Sequence, residues 1–500
     1  MYPNVSARSA LVATLLFGAA LLTACSKTIA SGNTSATSEG AKIAITTKSD
    51  EARTEFLQGR DLSEKLHAQD SLQHFDKAIA LDADFASAEL ARANNAPTTK
   101  EFFEHLKKAV SLADKTSDGE KLLILATEAG ANGDVVKQKE YLDKLVAAYP
   151  NDERGHLNLG NYYFGQQEFG PAIEEYRKST ELAPSYSPAY NILGYSYRQQ
   201  GDYTNAEQAF KKYIELIPTD PNPYDSYAEL LLKMGRFDDS IAQYRKALSI
   251  DPHFVPSHFG ISADLMYMGK PGQADDELQQ MANQARNDGE LRTALFGMAV
   301  VAADSGKFDK AAQEMDKEFA VAEKKNDAAS MAADLQAKGN ILAEAANYDL
   351  AKQQFDRSLQ LIENSSLSQE IKDNAEVVHH FSLAGLDLGK KDYASAKREA
   401  EEFRQGAEVS KNPVQLKQAH ELAGRIALAE KDYDKAIAEL QKANQQDPRN
   451  LYRLSQAFQA KGDTLMAKQY CTKAAEFNSL PQLNYAFVRV KAQKMAGKKA

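Results

Sequence analysis

The sequence predicts an all-α solenoid, a superhelix of stacked helical hairpins. Three observations carry that prediction. Pro150, Pro184, Pro218 and Pro252 recur at one constant i, i+34 step. Small residues keep the same step, as in Gly201, Gly235 and Gly269, or Ala172, Ala206, Ser240 and Ala274. Aromatic positions recur with them: Phe169, Tyr203 and Phe237, and again Tyr176, Phe210 and Tyr244.

Each recurrent residue has a mechanical role. From Ser187 onward, Tyr190, Leu193, Gly194 and Tyr197 share one face of a first helix. Gly201 ends that helix, because glycine tolerates a left-handed cap. Ala206 and Phe210 share a face of the second helix. Gly194 and Ala206 are small, so the two axes can approach closely, and Phe210 fills the space they leave. Pro218 cannot continue the second helix. This unit resembles the tetratricopeptide repeat, which has the same period and two helices. One hairpin cannot cover its own apolar faces, so several must stack.

Residues 151–286 hold four regular units, and 51–150 and 287–480 read as degenerate copies. Gly59, Phe75 and Ala78 mark one early copy. The later copies centre on Ala311, Ala351, Ala396, Ala436 and Ala467. Their steps are uneven, widest between Ala351 and Ala396 and narrowest between Ala436 and Ala467. Longer helices or loops are expected there.

The N-terminus reads as an address. Arg8 precedes an apolar run, Ala10 to Leu22, that is too short to span a bilayer. It has the length of a secretory signal core. Leu22-Thr23-Ala24-Cys25 resembles the bacterial lipoprotein box. The resemblance implies a signal peptide over 1–24 and a palmitate-type lipid anchor on Cys25. Ser26, where enterobacterial sorting would read Asp as retention, implies the outer membrane, facing the periplasm. Residues 25–50 are rich in Ser, Thr, Gly and Ala and read as a flexible tether.

Chemistry is hard to find. The formal net charge of −10 argues against a nucleic-acid partner. No phosphate loop, dinucleotide fingerprint or nucleophile elbow occurs. Glu64-x-x-His67 and Glu376-x-x-His379 match half of a di-iron pattern, but lie far apart in an extended array. His258 stands where Tyr190 and Tyr224 stand, which predicts packing. Cys471 takes the place of Phe210 and Tyr244, which predicts a buried thiol. No catalytic residue, metal site or cofactor is expected. The basic segment 481–500 reads as a solvated end, or as a contact for an anionic surface.

The repeat resemblance implies that first helices line a concave groove. Groove-facing candidates are Asn161 and Phe164, then Asn191, Tyr195 and Arg198, then Glu229 and Lys233, then Phe259 and Tyr267. Chaperone-binding members of the family clamp a carboxylate with two Lys, two Asn and an Arg. Asn161 matches one Asn, but Leu157, Ile192, Asn222 and Ser226 fill the other places. That specific function is not carried over.

The expected function is a non-catalytic scaffold of the bacterial cell envelope. It would bind protein or peptide segments of envelope proteins, as pilus, secretion or cell-wall assembly factors do. Two alternatives stand beside it: a peptidoglycan- or polysaccharide-binding scaffold, and an envelope enzyme whose site lies in the degenerate repeats.

Overall fold

The computed structural model describes residues 42–497. Among the described residues there is no strand. Helices follow one another in antiparallel pairs. The early pairs are α1 (Asp50–Glu64) with α2 (Ala68–Leu81), α3 (Ala86–Asn94) with α4 (Thr99–Leu112), and α5 (Asp118–Ala131) with α6 (Val135–Ala148). Next come α7 (Glu153–Gly165) with α8 (Phe169–Leu182) and α9 (Ser187–Gln200) with α10 (Tyr203–Leu216). These are followed by α11 (Asn222–Lys233) with α12 (Phe237–Ile250) and α13 (Pro256–Tyr267) with α14 (Pro271–Gln284). Then come α15 (Asp288–Asp304) with α16 (Phe308–Lys324) and α17 (Ala328–Glu344) with α18 (Tyr348–Glu363). The last pairs are α19 (Gln369–Lys390) with α20 (Tyr393–Ser410), α21 (Pro413–Ala429) with α22 (Tyr433–Lys442), and α23 (Pro448–Lys461) with α24 (Thr464–Ala475). Two short helices close the chain, α25 (Leu483–Ala486) and α26 (Arg489–Met495).

The irregular steps of the second half are taken up within helices. α15, α16 and α17 each have 17 residues and α19 has 22, against 14 in α8, α9 and α10.

One contact recurs inside the hairpins. Gly59 lies under Phe75, Gly160 under Tyr176, Gly194 under Phe210 and Gly339 under Phe355, each pair at the same separation along the chain. A methyl on Gly194 would stand 2.7 Å from the Phe210 ring, and one on Gly339 2.4 Å from Phe355. All four rings are buried. The second helix therefore rests directly on the backbone of the first.

A polar staple recurs as well. His156 Nδ1 meets Glu175 at 2.6 Å, His258 meets Glu277 at 2.8 Å, His380 meets Glu399 at 2.8 Å and His420 meets Glu439 at 2.6 Å. All four pairs share one sequence separation, and each joins the first helix of a hairpin to its second. His258 thus packs, as its place in the repeat suggests, but through an ion-pairing contact. Burial alone would lower the His156 pKa; the Glu175 carboxylate and the Pro150 carbonyl outweigh it, and the net shift is upward.

The hairpins form two compact units, divided after Pro223. The division falls inside the block of regular repeats, so sequence regularity does not mark it.

In the N-terminal unit, first helices distant in sequence meet. Arg154 of α7 bonds Glu64 of α1 at 3.1 Å, and His67 bonds Asp220 at 3.1 Å. Residues 42–48 run as an extended strap over the helix ends. The Ile43 amide donates to Asp152 at 3.0 Å, Thr46 Oγ1 to Glu120 at 2.6 Å and Thr47 Oγ1 to Asp82 at 2.6 Å. Ile43 itself is buried. The tether expected through residue 50 does not extend over 42–48: one buried side chain and capping carboxylates hold this stretch. Cys25, the signal segment and the rest of the tether lie outside the described residues. Among the described residues no helix is long and apolar enough to cross a membrane.

In the C-terminal unit, the segment after α24 is packed rather than solvated. Phe477, Leu480, Leu483, Tyr485, Phe487 and Val488 are all buried. The expectation of a solvated basic end therefore fails for the described residues up to Val488. The basic residues Arg489, Lys491 and Lys494 follow an apolar stretch whose burial outweighs them. Cys471 is buried as well, and its thiol donates to the Ala492 carbonyl at 3.2 Å.

Asp264 is the least compensated buried acid in this unit. It lies on α13, fully buried, with neither carboxylate oxygen hydrogen-bonded. The nearby Ser240 hydroxyl donates to the Ala228 carbonyl at 2.9 Å. Burial, reinforced by Asp238, pushes the Asp264 pKa up to about 8. The folded state thus holds this proton more tightly than the unfolded chain does. Stability from this site is complete below about pH 4, and is lost as pH rises through about 8. Asp264→Asn is expected to match the parent near pH 4. At pH 8 it should be more stable by on the order of a few kcal/mol. Thermal melts at the two pH values check this, and an equal change at both would refute the assignment.

Candidate functional site

The first helices expose a face that does not pack on the second helices. In the N-terminal unit this face is polar and mostly buried. Arg60 on α1, Arg154 on α7 and Tyr186 at the start of α9 converge around Glu64. Arg154 Nη1 bonds Glu153, and its guanidinium lies 4.7 Å over the Tyr186 ring. Arg60 Nε stands 3.8 Å from Glu64, too long for a good hydrogen bond.

Three buried atoms here have no hydrogen-bond partner: Arg60 Nη1, the Tyr186 hydroxyl and Asn191 Oδ1. Burial, with the charge of Arg154, holds the Arg60 pKa down at about 9. Burial raises Glu64 in spite of the two arginines. A buried donor without an acceptor costs about 1–3 kcal/mol. The face therefore offers unspent donors and an acceptor to anything that reaches it.

Asn191 lies on α9 beyond Tyr186. On the same helix, the Arg198 guanidinium lies 4.6 Å over the Tyr195 ring, which meets Phe210 edge-on at 5.2 Å. Asn161 and Phe164 are turned partly inward. Asn161 Oδ1 accepts from the Tyr176 hydroxyl at 2.8 Å, and Phe164 meets Phe169 edge-on at 5.4 Å.

Arg60 was not singled out from the sequence, and Glu64 only as half of a di-iron pattern. A signal for Arg60 existed. It follows Gly59 as Asn161 follows Gly160 and Tyr195 follows Gly194. In those later hairpins the position carries groove candidates, Asn161 and Tyr195.

In the C-terminal unit the corresponding face is filled by the chain itself. Lys233 Nζ donates to the Phe477 carbonyl and lies 3.9 Å over the Phe477 ring. The Tyr267 hydroxyl donates to the Ser479 carbonyl, and its ring meets Tyr485 at 5.4 Å. Arg489 forms a two-point pair with Asp304 on α15, and Lys491 reaches Glu344 on α17. Phe259 is buried in the same apolar core as this segment. Glu229 is also buried. Lys233 and Tyr267 thus receive backbone carbonyls of an internal segment.

The residues considered for metal binding are engaged otherwise. Glu64 pairs with Arg154, His67 with Asp220, and His379 faces Asp356 at 3.4 Å. Among the described residues, no group of three or more His, Cys, Asp and Glu is placed to hold a metal ion.

Tyr485 tests the filled face. It is 1% exposed, and its hydroxyl donates to the Ala475 carbonyl at 2.7 Å. Tyr485→Ala should cost about 3–5 kcal/mol in urea unfolding. A variant as stable as the parent would show that the segment does not pack there.

Comparisons with known proteins match parts of this chain. A tetratricopeptide repeat model matches residues 157–221, and a second matches 222–254, 418–450 and 448–479. The Hsp70-Hsp90 organizing protein of Triticum aestivum is 26% identical over 194 residues, covering 38% of this chain and 32% of that protein. The protein O-mannosyl-transferase TMTC3 of Homo sapiens is 23% identical over 184 residues, covering 34% of this chain and 20% of that protein. The chain thus matches about a third or less of the length of these relatives. A tetratricopeptide repeat protein structure from Parabacteroides merdae is 14% identical, covering 57% of this chain and 99% of that one, with a TM-score of 0.36. The chain therefore carries tetratricopeptide repeats over residues 157–254 and 418–479, within a longer run of helical hairpins.

Proposed function

We propose that this protein is a non-catalytic interaction scaffold whose N-terminal unit binds a protein or peptide segment on its first-helix face. One observation carries the reading: Arg60 Nη1, the Tyr186 hydroxyl and Asn191 Oδ1 are buried and unpaired. A peptide backbone offers both acceptors and donors. Tyr195 and Arg198 add the residue types that dominate binding energy at protein interfaces. The relative from Triticum aestivum is named for organizing Hsp70 and Hsp90, which is a protein–protein role.

The partner would be an envelope protein. The support is the N-terminal sequence, an apolar run ending in Leu22-Thr23-Ala24-Cys25. A lipid on Cys25 would hold the scaffold at the outer membrane, facing the periplasm. Two acyl chains give stable attachment where one does not.

Two measurements test these statements separately. Affinity purification from solubilised membranes should recover a protein that is lost with Asn191→Ala plus Arg198→Ala. The variant must melt like the parent. If no protein is depleted, the face is not the binding surface. Metabolic labelling with a fatty acid should mark the parent but not Cys25→Ala. Equal labelling of the two rules out the anchor.

A further inference from the structure

A second arginine-rich cluster lies on the first helices of the C-terminal unit, bordering the packed segment at Asn484 and Phe487. Arg425 is on α21, and Arg449 and Arg453 are on α23. They share two carboxylates, Glu421 and Asp447. Three guanidinium groups against two carboxylates leave an excess positive charge.

The carboxylates are already engaged by other groups. Arg453 Nη1 bonds Glu421 Oε1 at 2.8 Å and Asn450 Oδ1 at 2.8 Å. Asn450 Nδ2 bonds Glu421 Oε2 at 3.2 Å. Asp447 caps α23 through the Arg449 amide at 2.8 Å, and accepts from Asn484 at 2.8 Å. Arg449 reaches the Asn484 carbonyl oxygen at 3.5 Å and lies 5.7 Å over Phe487.

Arg425 is left over. Its nearest carboxylate oxygen, on Glu421, is 3.6 Å away, beyond good hydrogen-bond range. Its side chain is 15% exposed, so solvent reaches it. The guanidinium packs closely against Gly385 on α19: a methyl there would stand 3.3 Å from Nη2. Other buried arginines of this unit are treated differently. Arg292 bonds both oxygens of Asp334, at 2.6 and 2.8 Å, and Arg489 bonds both oxygens of Asp304. Burial, together with Arg453 and Arg449, holds the Arg425 pKa down at about 9. The physical meaning is a desolvated cation without its counter-charge, and a planar guanidinium favours two-point contact with an oxyanion.

We propose that Arg425, backed by Arg453 and Arg449, is a binding site for an oxyanion, a carboxylate or phosphate group. The site is independent of the N-terminal face proposed above. The anion comes either from a free small molecule or from an acidic side chain of a bound peptide.

Calorimetric titration of the full chain distinguishes these cases. The probes are inorganic phosphate and a blocked peptide containing Glu, each against chloride at matched ionic strength. Saturable binding of at least one probe is expected. Arg425→Gln should weaken it by about tenfold or more. Gly385→Ala should also weaken it, by crowding Nη2, and it should fold because alanine is the better helix former. Arg398→Gln, an exposed arginine on α20, should leave binding unchanged. Tighter binding of phosphate assigns the site to a free anion, and tighter binding of the peptide assigns it to an acidic side chain. No saturable binding of either probe overturns the proposal. So does full retention of binding in both Arg425→Gln and Gly385→Ala.

Discussion

The contact of a second-helix ring with the bare backbone of a glycine on the first helix sets the geometry of the hairpins. It fixes how close the two axes come, since a methyl at Gly194 or Gly339 would meet the ring below ordinary contact distance. It also fixes the rotation of the first helix. With Gly59, Gly160 or Gly194 turned under the ring, the next residue is carried about 100° around the helix, so that Tyr195 meets Phe210 at the ring edge and Asn161 meets the Tyr176 hydroxyl. Arg60, Asn161 and Tyr195 occupy that place in three hairpins, and Arg425 follows Gly424, which lies under Leu440. The packing rule of the hairpin is therefore also the rule that addresses the binding face.

The two units use that face differently. In the N-terminal unit it carries charge and amide groups whose hydrogen-bonding capacity is incompletely used. In the C-terminal unit the chain returns on itself and covers the part formed by α11, α13 and α15. Lys233 and Tyr267 bind carbonyls of the non-helical stretch around Phe477 and Ser479. That is how a groove reads an extended peptide, since backbone carbonyls are present in any sequence. The depth of the apolar burial makes this segment an integral part of the unit. Phe477, Leu483, Tyr485 and Phe487 together contribute several side chains' worth of transfer free energy, each about 1.5–3 kcal/mol.

Much of the fold was legible because its packing residues recur. The step of the prolines, the small residues and the rings each have one mechanical job, and a job repeated in register leaves a pattern. The candidate face was less legible because specificity resides in residues that do not recur. Arg60 carries no motif of its own and becomes visible only through the glycine before it. The His–Glu staples had a signal, the common separation of each histidine from its glutamate. Reading the histidines one at a time hid it. The C-terminal segment was misread for a different reason. Its lysines suggest solvent, while Leu480, Leu483, Tyr485 and Phe487 mix alternating and helical spacing and so mark no single element. The strap at 42–48 was hidden by composition: threonines that look like linker residues donate to carboxylates at helix ends. The boundary after Pro223 leaves no mark in the repeat, since Pro218 belongs to the regular series on both sides.

The buried arginines show how structural and binding roles can be separated. Arg292 and Arg489 each have a carboxylate that matches the guanidinium fork, and their environments stabilise the charge, raising its pKa. Such pairs hold helices in register and have nothing left to offer. Arg60 and Arg425 have carboxylates nearby that are committed elsewhere, at 3.8 and 3.6 Å. Their environments disfavour the charge. A protein core that needed only rigidity would gain by replacing such a residue with an apolar one, because an uncompensated buried charge is costly. Both residues directly follow a glycine packed under a second-helix side chain, Gly59 under Phe75 and Gly424 under Leu440. The lost stability then has a use: it becomes available as binding free energy once a partner supplies the missing oxygen atoms.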